Sequence, residues 1–507
     1  VIGSARRFKG RVRLQADVAI VGTGAGGAMA ARELTRRGLN VLALEEGPQL
    51  FPQDMSQREE EMFPKLYQDA GARMTADLAI RVVSGRCIGG STVHNLNLCK
   101  RLAPEMLEHW ALDHRVSGLS ERELRPSFEQ VERDLSVSEV PKVRRNLNNQ
   151  LLERGVQALG WRGGPLAHNR LGCQGTGFCE IGCPYDAKQN AAKVLLPDAA
   201  NRGATVLSDV HVTSVIHDGR RARGVLAEVR DAEGRVRAEI RIDSECVVLA
   251  GSAIGSAAVA VASHLPDPHA RLGRGLRLHP GVALAGWFDE KVEGWRGIPQ
   301  SFECTEHLDL TPGSDKRVWI TTAFAHPIAA AALLPGFGAG HRDWMLRYPN
   351  VAVFSAMLHD HSSGHVGLKD DGSPRIDYVM SWEDSHALAR GIRATAQLLF
   401  AAGAKKVLVP SVRPLELDSP AAVESIPDSI ARPHELPLTA VHPMGTMALG
   451  DDPRRSVVNS QGEHHQVKNL FVLDGSLFPT SIGGPPQIPI YALSYHLSKY
   501  VAEAVAR

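Results

Sequence analysis

Apolar positions along the chain fall into runs of two kinds. Val18-Ala19-Ile20-Val21 and Val41-Leu42-Ala43-Leu44 are short and unbroken, as expected of strands buried on both faces. Between them, Ala28 to Arg37 keeps a helical pattern with glycines at its start. Leu107, Trp110 and Leu112, then Leu124, Phe128, Val131 and Leu135, recur at helical spacing, so residues 101–160 read as helices. From Ala204 the period changes. Residues 205–207, 210–216, 224–230 and 239–242 read as strands, with turns at Asp218-Gly219 and Glu233-Gly234. Cys246 to Ala250 is a further buried strand, followed by a small-residue helix from Ser252 to Ser263. A helix is predicted around 384–402, a strand over 470–475, and a final helix over about 490–506. Residues 163–190 read as a loop, and the Pro-rich stretch 410–437 as a connection. The most apolar stretch, Val318 to Phe337, contains His326, Pro327 and Pro335. These residues argue against a membrane-spanning helix, and a buried strand and loop are expected.

The first strand runs straight into Gly22-Thr23-Gly24-Ala25-Gly26-Gly27, a Gly-x-Gly-x-x-Gly pattern that opens the first helix. Each part suits a dinucleotide. Gly22 permits a tight turn, Gly24 lets backbone approach a pyrophosphate, and Gly27 lets helix and strand pack closely. The helix N-terminus offers free N–H groups to phosphates. Glu45, at the end of the second strand, stands where a carboxylate accepts hydrogen bonds from a ribose diol. A second glycine-rich segment, Gly85 to Asn95, contains Gly89-Gly90-Ser91 and His94-Asn95 and suits a loop pressed against a phosphate or a ring.

Bulk composition narrows the function classes. The 507 residues carry a net charge of +1, with 22% charged and 43% hydrophobic residues. That balance is ordinary for a soluble globular protein and gives no reason to expect a nucleic-acid partner. Arg6, Arg7, Lys9, Arg11 and Arg13 make a mildly basic N-terminal stretch, read as a solvated edge. Seven cysteines, an odd number, do not suggest a secreted disulfide scaffold and favour the cytoplasm. The chain starts at Val1, so a missing leader would reverse that compartment.

Six separated segments, in this order, resemble the glucose–methanol–choline oxidoreductase family, which binds FAD. They are Gly22–Glu45, Gly85–Asn95, Val247–Ser256, Gly275–Pro280, His442–Thr446 and Leu473–Ala492. The resemblance implies an α/β fold, with a Rossmann-like FAD-binding domain interrupted by a substrate domain of antiparallel sheet and helices. The expected division is 1–100, 196–285 and 436–507 for FAD, and 101–195 and 286–435 for the substrate. By the same resemblance, Gly22, Gly24, Gly27 and Glu45 hold the ADP half. Val212 meets the adenine through its backbone. Gly90, Ser91 and Asn95 lie along the pyrophosphate and flavin. Asp474 and Gly475 touch the ribityl chain, and Gln487 and Ile488 lie near the flavin ring.

His442 matches the family's active-site histidine. The implied reaction oxidises a CH–OH group, with a hydroxyl proton removed by the histidine and a hydride passed to flavin N5. The implied partners are a small, fairly apolar alcohol and oxygen or an external electron acceptor. The family's second His or Asn falls at Pro485, which has no hydrogen-bonding side chain. Gln487, or a residue from the substrate domain, is the expected replacement. Pro485 also keeps alive a redox-neutral or light-driven reaction, like that of the family's hydroxynitrile lyases and decarboxylase. His94 matches the histidine that choline-oxidase-like members join covalently to the flavin; the alternative is a histidine that only packs at the flavin edge. Cys173, Cys179 and Cys183 resemble the three ligands of an iron–sulfur cluster in some members. Buried thiols or one disulfide are the alternatives, with His168 a doubtful fourth ligand for zinc. His279-Pro280 reads as a turn before a strand. His359 and His361 flank Asp360, a metal-like pattern in which one histidine is expected to line the substrate cavity. His464-His465 is expected at the surface.

Overall fold

Two long strands, Gly10–Val21 and Val236–Leu249, organise the molecule by pairing in parallel from Gly10–Ala238 to Val21–Leu249. The structure is a computed structural model, and it describes residues 1–507 apart from Ala325 and Pro335. Each strand has an alternating half and a continuously buried half. In Gly10–Val21 the early residues alternate between exposed and sheltered, while Val18 to Val21 are all buried. Alternation suits the part with one face in water, and the apolar run suits the part covered on both faces.

Two expectations change here. The predicted strand over 18–21 extends back to Gly10. The strands predicted over 239–242 and 246–250 are a single strand, because Asp243 and Ser244 continue the ladder opposite Gln15 and Ala16. Cross-strand ion pairs fit this extension. Arg11 pairs with Glu239 directly opposite (3.2 Å), and Arg13 reaches diagonally to Asp243 (2.5 Å). Arg11 and Arg13 are therefore part of a solvated charge ladder on the sheet, and Arg6 pairs with Asp209 (2.9 Å).

The first sheet has the order Ile2–Ser4, Thr205–Ser208, Val41–Leu44, Gly10–Val21, Val236–Leu249, Ala222–Arg230, His211–His217. Leu470–Val472 joins it in parallel beside Val247–Leu249. The helices Ala25–Arg36 and Gln487–Val505 pack on this sheet in one core with residues 102–135. The parallel strands end together at Val21, Leu44, Leu249 and Val472. Ligands of such sheets bind in the crevice beyond those carboxyl ends.

A second, nine-stranded sheet carries the rest. Its central strands are Gly281–Trp287, Val351–Leu358 and Val318–Thr322, all antiparallel, under the helices Trp382–Ala401 and Leu147–Leu159. Leu438–Ala440 meets the start of Gly281–Trp287 and pairs in parallel with Ile80–Val82. Register has a consequence for function. Gly281 faces Met357 on one side and Thr439 on the other. His279, His359 and His442 therefore leave the sheet at one edge, each one or two residues beyond its strand.

The apolar stretch 318–337 holds the expected buried strand at Val318–Thr322, but a short helix, Pro327–Leu333, stands where a loop was expected. Positions 325 and 335 of that stretch lie outside the described residues. The helix forms because Pro327 suits its first turn and the Glu59 carboxylate accepts N–H bonds from Ile328 and Ala329 (2.8 and 2.9 Å). Among the described residues no helix is long and apolar enough to cross a membrane. His464 is buried rather than at the surface, its Nδ1 accepting the N–H groups of Gln466 and Val467 (3.2 and 3.1 Å).

Candidate active site

At the carboxyl edge of the first sheet the chain builds a cradle almost entirely from backbone. Gly22 has φ +98°, and a Cβ there would lie 2.3 Å from the Ala250 carbonyl oxygen. A Cβ on Gly27 would lie 2.0 Å from the Gly22 carbonyl oxygen, and one on Gly26 would strike Leu473. Gly24 is different, because a Cβ there meets nothing within 4 Å. It is also the N-cap of the helix Ala25–Arg36, and no side chain caps that end. The tight packing at Gly22, Gly26 and Gly27 thus presents free N–H groups of a helix N-terminus to an open space.

The second glycine segment closes over the first. A Cβ on Gly90 (φ +55°) would lie 2.9 Å from the Gly24 Cα. Gly89 N–H donates to the Thr23 hydroxyl (3.1 Å), which donates to Glu45 Oε2 (2.7 Å). Gly47 N–H donates to Glu45 Oε1 (3.0 Å). Burial pushes the Glu45 carboxyl up to about 7. Val212 is buried in the edge strand His211–His217, which two strands separate from the strand Gly10–Val21 that leads into the glycines. Asp474 accepts from the Ser256 hydroxyl (2.6 Å) and the Ser476 N–H (2.8 Å), and burial raises its carboxyl above the usual range. Gly475 stays close to the histidine segment, its carbonyl accepting from Gly445 N–H (3.0 Å).

The loop after Gly90 holds His94 and Asn95. Ser91 Oγ accepts the Gly85 N–H (2.8 Å). His94 is 6% exposed, lies against the Tyr67 ring (centroids 4.0 Å apart), and its Nε2 has no partner. Burial pushes its imidazole down to about 3, so it stays neutral. A lysine missed from sequence, Lys188, fixes this loop. Its ammonium donates to the carbonyls of Val93 (2.9 Å), Asn95 and Cys179 (2.7 Å), gripping the backbone on both sides of His94. Burial lowers the Lys188 ammonium to about 8. The only signal for it was the Ala-Lys after the cysteine loop.

Gln487 sits in the first turn of the final helix with Ile488 buried beside it. Both ends of its amide are occupied. Asn95 Nδ2 donates to its oxygen (2.9 Å), and its nitrogen donates to Leu98 O (2.6 Å) and Asn169 Oδ1 (3.3 Å). Gln487 ties that helix to the 95–98 loop, so its amide is not free to replace the side chain missing at Pro485.

The nearest polar partner of His442 is His279, at 3.3 Å between the two Nδ1 atoms. His279 is 1% exposed and has φ +53°, a strained conformation for a residue with a Cβ. Asp360 holds it there, accepting the N–H groups of Leu278 (2.9 Å) and His279 (3.3 Å) and the Tyr378 hydroxyl (2.7 Å). Gly483 N–H donates to His279 Nε2 (3.3 Å). A neutral His279 therefore keeps its hydrogen on Nδ1 and donates it to His442 Nδ1, which leaves the His442 hydrogen on Nε2. Burial first, and then His279, pushes the His442 imidazole well below its usual range. His359 continues the row, its ring 6.3 Å from that of His279, and burial pushes it down to about 3. The sequence reading of His279 as only a turn residue missed this pairing; the signal was a His-Pro before a strand, the dipeptide that also marks His442.

The cysteine loop does not assemble a ligand set. All seven cysteines are free thiols, and among the described residues no three His, Cys, Asp or Glu side chains group to hold a metal ion. Cys173 Sγ accepts from Arg170 and Gly175, and Cys183 Sγ accepts from Ala187. Cys179 is half-buried, and its loss of hydration raises its thiol. His168 points elsewhere, its Nε2 against the Gln300 carbonyl (2.8 Å). The iron–sulfur and disulfide expectations are not met by this geometry. His359 and His361 likewise form no metal pair with Asp360, whose carboxylate is committed to backbone and Tyr378.

Known proteins match this architecture along most of the chain. Two family models described as GMC oxidoreductase match residues 63–281 and 360–494, and an NAD(P)-binding Rossmann-like model matches 20–78. An uncharacterized GMC-type oxidoreductase of Mycobacterium tuberculosis is 33% identical over 486 residues, covering 95% of this chain and 75% of that protein. A long-chain-alcohol oxidase of Arabidopsis thaliana is 25% identical over 521 residues, covering 97% of this chain and 69% of that protein. Among solved structures, pyridoxine 4-oxidase from Mesorbium loti superposes with a TM-score of 0.73 at 19% identity, over 96% of this chain and 98% of that one. A formate oxidase of Aspergillus oryzae, studied for its FAD modification, gives 0.74 at 15%, over 97% and 98%. The glycine cradle, the two-sheet fold and these matches agree, and the chain belongs to the GMC oxidoreductase family, whose cofactor is FAD.

Proposed function

We propose that the protein oxidises the CH–OH group of a small, fairly apolar alcohol to a carbonyl, with His442 and His279 handling the hydroxyl proton. The observation that carries this is the His442–His279 pair at 3.3 Å, with His279 buried and His442 half-buried at one edge of the second sheet and adjoining Gly475, which follows the strand Leu470–Val472 of the first. The residues fit FAD: Gly24 opens on free space, the helix behind it is uncapped, and His94 Nε2 is buried without a partner. Gly22, Gly24, Gly27 and Glu45 would hold the ADP half. Gly90, Ser91, Asn95, Asp474 and Gly475 would line the rest, with the backbone at Val212 and the helix start at Gln487 and Ile488 behind. FAD, when bound, supplies the acceptor for the hydride from the carbinol carbon.

The chain's own part is the proton. In the resting tautomer His442 presents an Nε2–H, which donates to a substrate oxygen and orients it. For His442 to take the hydroxyl proton at Nε2, the pair must invert its tautomers, and His279 must then give up the bond from Gly483. His279 thus stands where the family's second polar residue is lost at Pro485. That weakens the ground for a redox-neutral reaction, which rested on Pro485. Oxygen or an external carrier is the proposed final electron acceptor. The apolar substrate rests on relatives named long-chain-alcohol oxidases at 24–25% identity. The test is the anaerobic absorption spectrum of the flavin-loaded protein against primary, secondary and long-chain alcohols. Bleaching of the oxidised band by one class supports the proposal; no bleaching by any alcohol defeats it.

His94 extends the same reading. It is a neutral imidazole with a free Nε2 and a clamped backbone, as a point of covalent flavin attachment requires. Acid-precipitated protein should keep its yellow colour in the pellet, and His94→Ala should release it. Colour that leaves wild-type protein on precipitation would refute the attachment.

A further inference from the structure

A cleft of about 580 Å³ opens beside the segment that pairs with the active-site loop, and its charge is one-sided. Arg271, Arg274, Arg277 and Arg455 line it, with Asp377 as the only carboxylate among the described residues. Asp377 is already paired with Arg375 (3.0 Å). Among the described residues none of the four arginines has an ion-pair partner, although most arginines of this chain do. Arg277 is the most enclosed of the four. Its guanidinium donates to the carbonyls of His361 and Ser362, and its Nε–H is buried without a partner. Four like charges around one space repel one another, and a bound anion would relieve that repulsion most at the half-buried Arg271 and Arg277.

The neighbouring histidines report the same field. His114 is held down to about 4 by burial first, with His109, Arg455 and Arg277 adding to it. His365 is lowered by burial and then by Arg274. None of the residues of the nucleotide cradle lines this cleft.

We propose that the cleft binds the phosphate group of a small molecule or a free phosphate-type oxyanion. Guanidinium groups match the tetrahedral oxyanion with paired N–H donors, and four of them suit a ligand of two or more charges. The volume exceeds what a lone ion needs, which leaves room for the body of a phosphorylated metabolite. The site is independent of the alcohol reaction proposed above.

The test is calorimetric titration of the flavin-loaded full chain with sodium pyrophosphate and, separately, sodium orthophosphate, at low ionic strength. Sodium chloride at matched ionic strength is the control. Arg274 and Arg455 are exposed, so the double variant Arg274→Ser with Arg455→Ser keeps the fold, checked by circular dichroism and flavin content. Saturable one-site binding to wild type is expected, weakened roughly tenfold or more in the variant. Pyrophosphate binding at least about tenfold tighter than orthophosphate points to an extended phosphorylated ligand, and equal affinities to the free ion; both uphold the site. No saturable binding, equal affinity in the variant, or a chloride response of the same size overturns it.

Discussion

The nucleotide cradle and the histidine pair are built in opposite ways. The cradle is backbone: three close glycine contacts within six residues of chain set its shape, and the open space at Gly24 follows from them. The histidine pair is side chain: His279 and His442 come from strands far apart in sequence, and only sheet register brings them to 3.3 Å. A backbone site is written locally and tolerates almost no added atom. A side-chain site is written in the pairing of distant strands, so its members can be supplied from different segments, as proposed above for His279 in place of Pro485.

The largest effect expected is at the cradle. Gly27→Val would place side-chain carbon against the Gly22 carbonyl oxygen, where even a Cβ sits at 2.0 Å. We expect loss of bound flavin and a destabilisation above about 4 kcal/mol, read by flavin content and chemical denaturation. A stable, fully yellow Gly27→Val protein would erase the distinction between the two regions.

Acid should act on the histidine side. His94, His279 and His359 are each held at about 3, below the ordinary imidazole value of 6.5. A group whose folded value is depressed binds protons in the unfolded state first, so its stabilisation is complete above about 6.5 and falls as pH drops toward 3. Each contributes a loss of about 2 kcal/mol by pH 5 as an upper figure. Thermal melting between pH 7 and pH 5 should show a fall in Tm that is clearly smaller in the triple variant with neutral replacements, where His442, His114 and His464 alone keep depressed values among the strongly shifted histidines.

The mildest test is exchange within the pair. His279→Asn suits the positive φ and removes the partner of His442. We expect kcat to fall roughly tenfold. His279 also lowers the His442 imidazole, so the acid limb of the kcat profile should move to higher pH in the variant. An unchanged profile would mean that the two rings do not act together.

This contrast also explains what could be read before the structure. The strand, glycine turn, helix and Glu45 follow one another in sequence, so local pattern located them, while the α/β fold with its interrupted FAD-binding domain came from the resemblance of six separated segments. Segment ends moved where polar residues continued a ladder, as at Asp243 and Ser244. His279 was readable only as a turn, because its meaning lies in the register of Gly281 against Thr439. The role of Lys188 was not readable from its Ala-Lys alone, because what it holds, the carbonyls of Val93 and Asn95, lies about 90 residues earlier in the chain. The cysteine spacing failed in the other direction: closeness in sequence did not produce convergent thiolates.

The central claim is that His442 manages the substrate proton beside a bound FAD. Its most direct test is the anaerobic rate of flavin bleaching by a productive alcohol, in wild type and in His442→Ala with equal flavin content. The account predicts a rate lower by about 10²- to 10⁴-fold in the variant. Bleaching at the wild-type rate without His442 would contradict it.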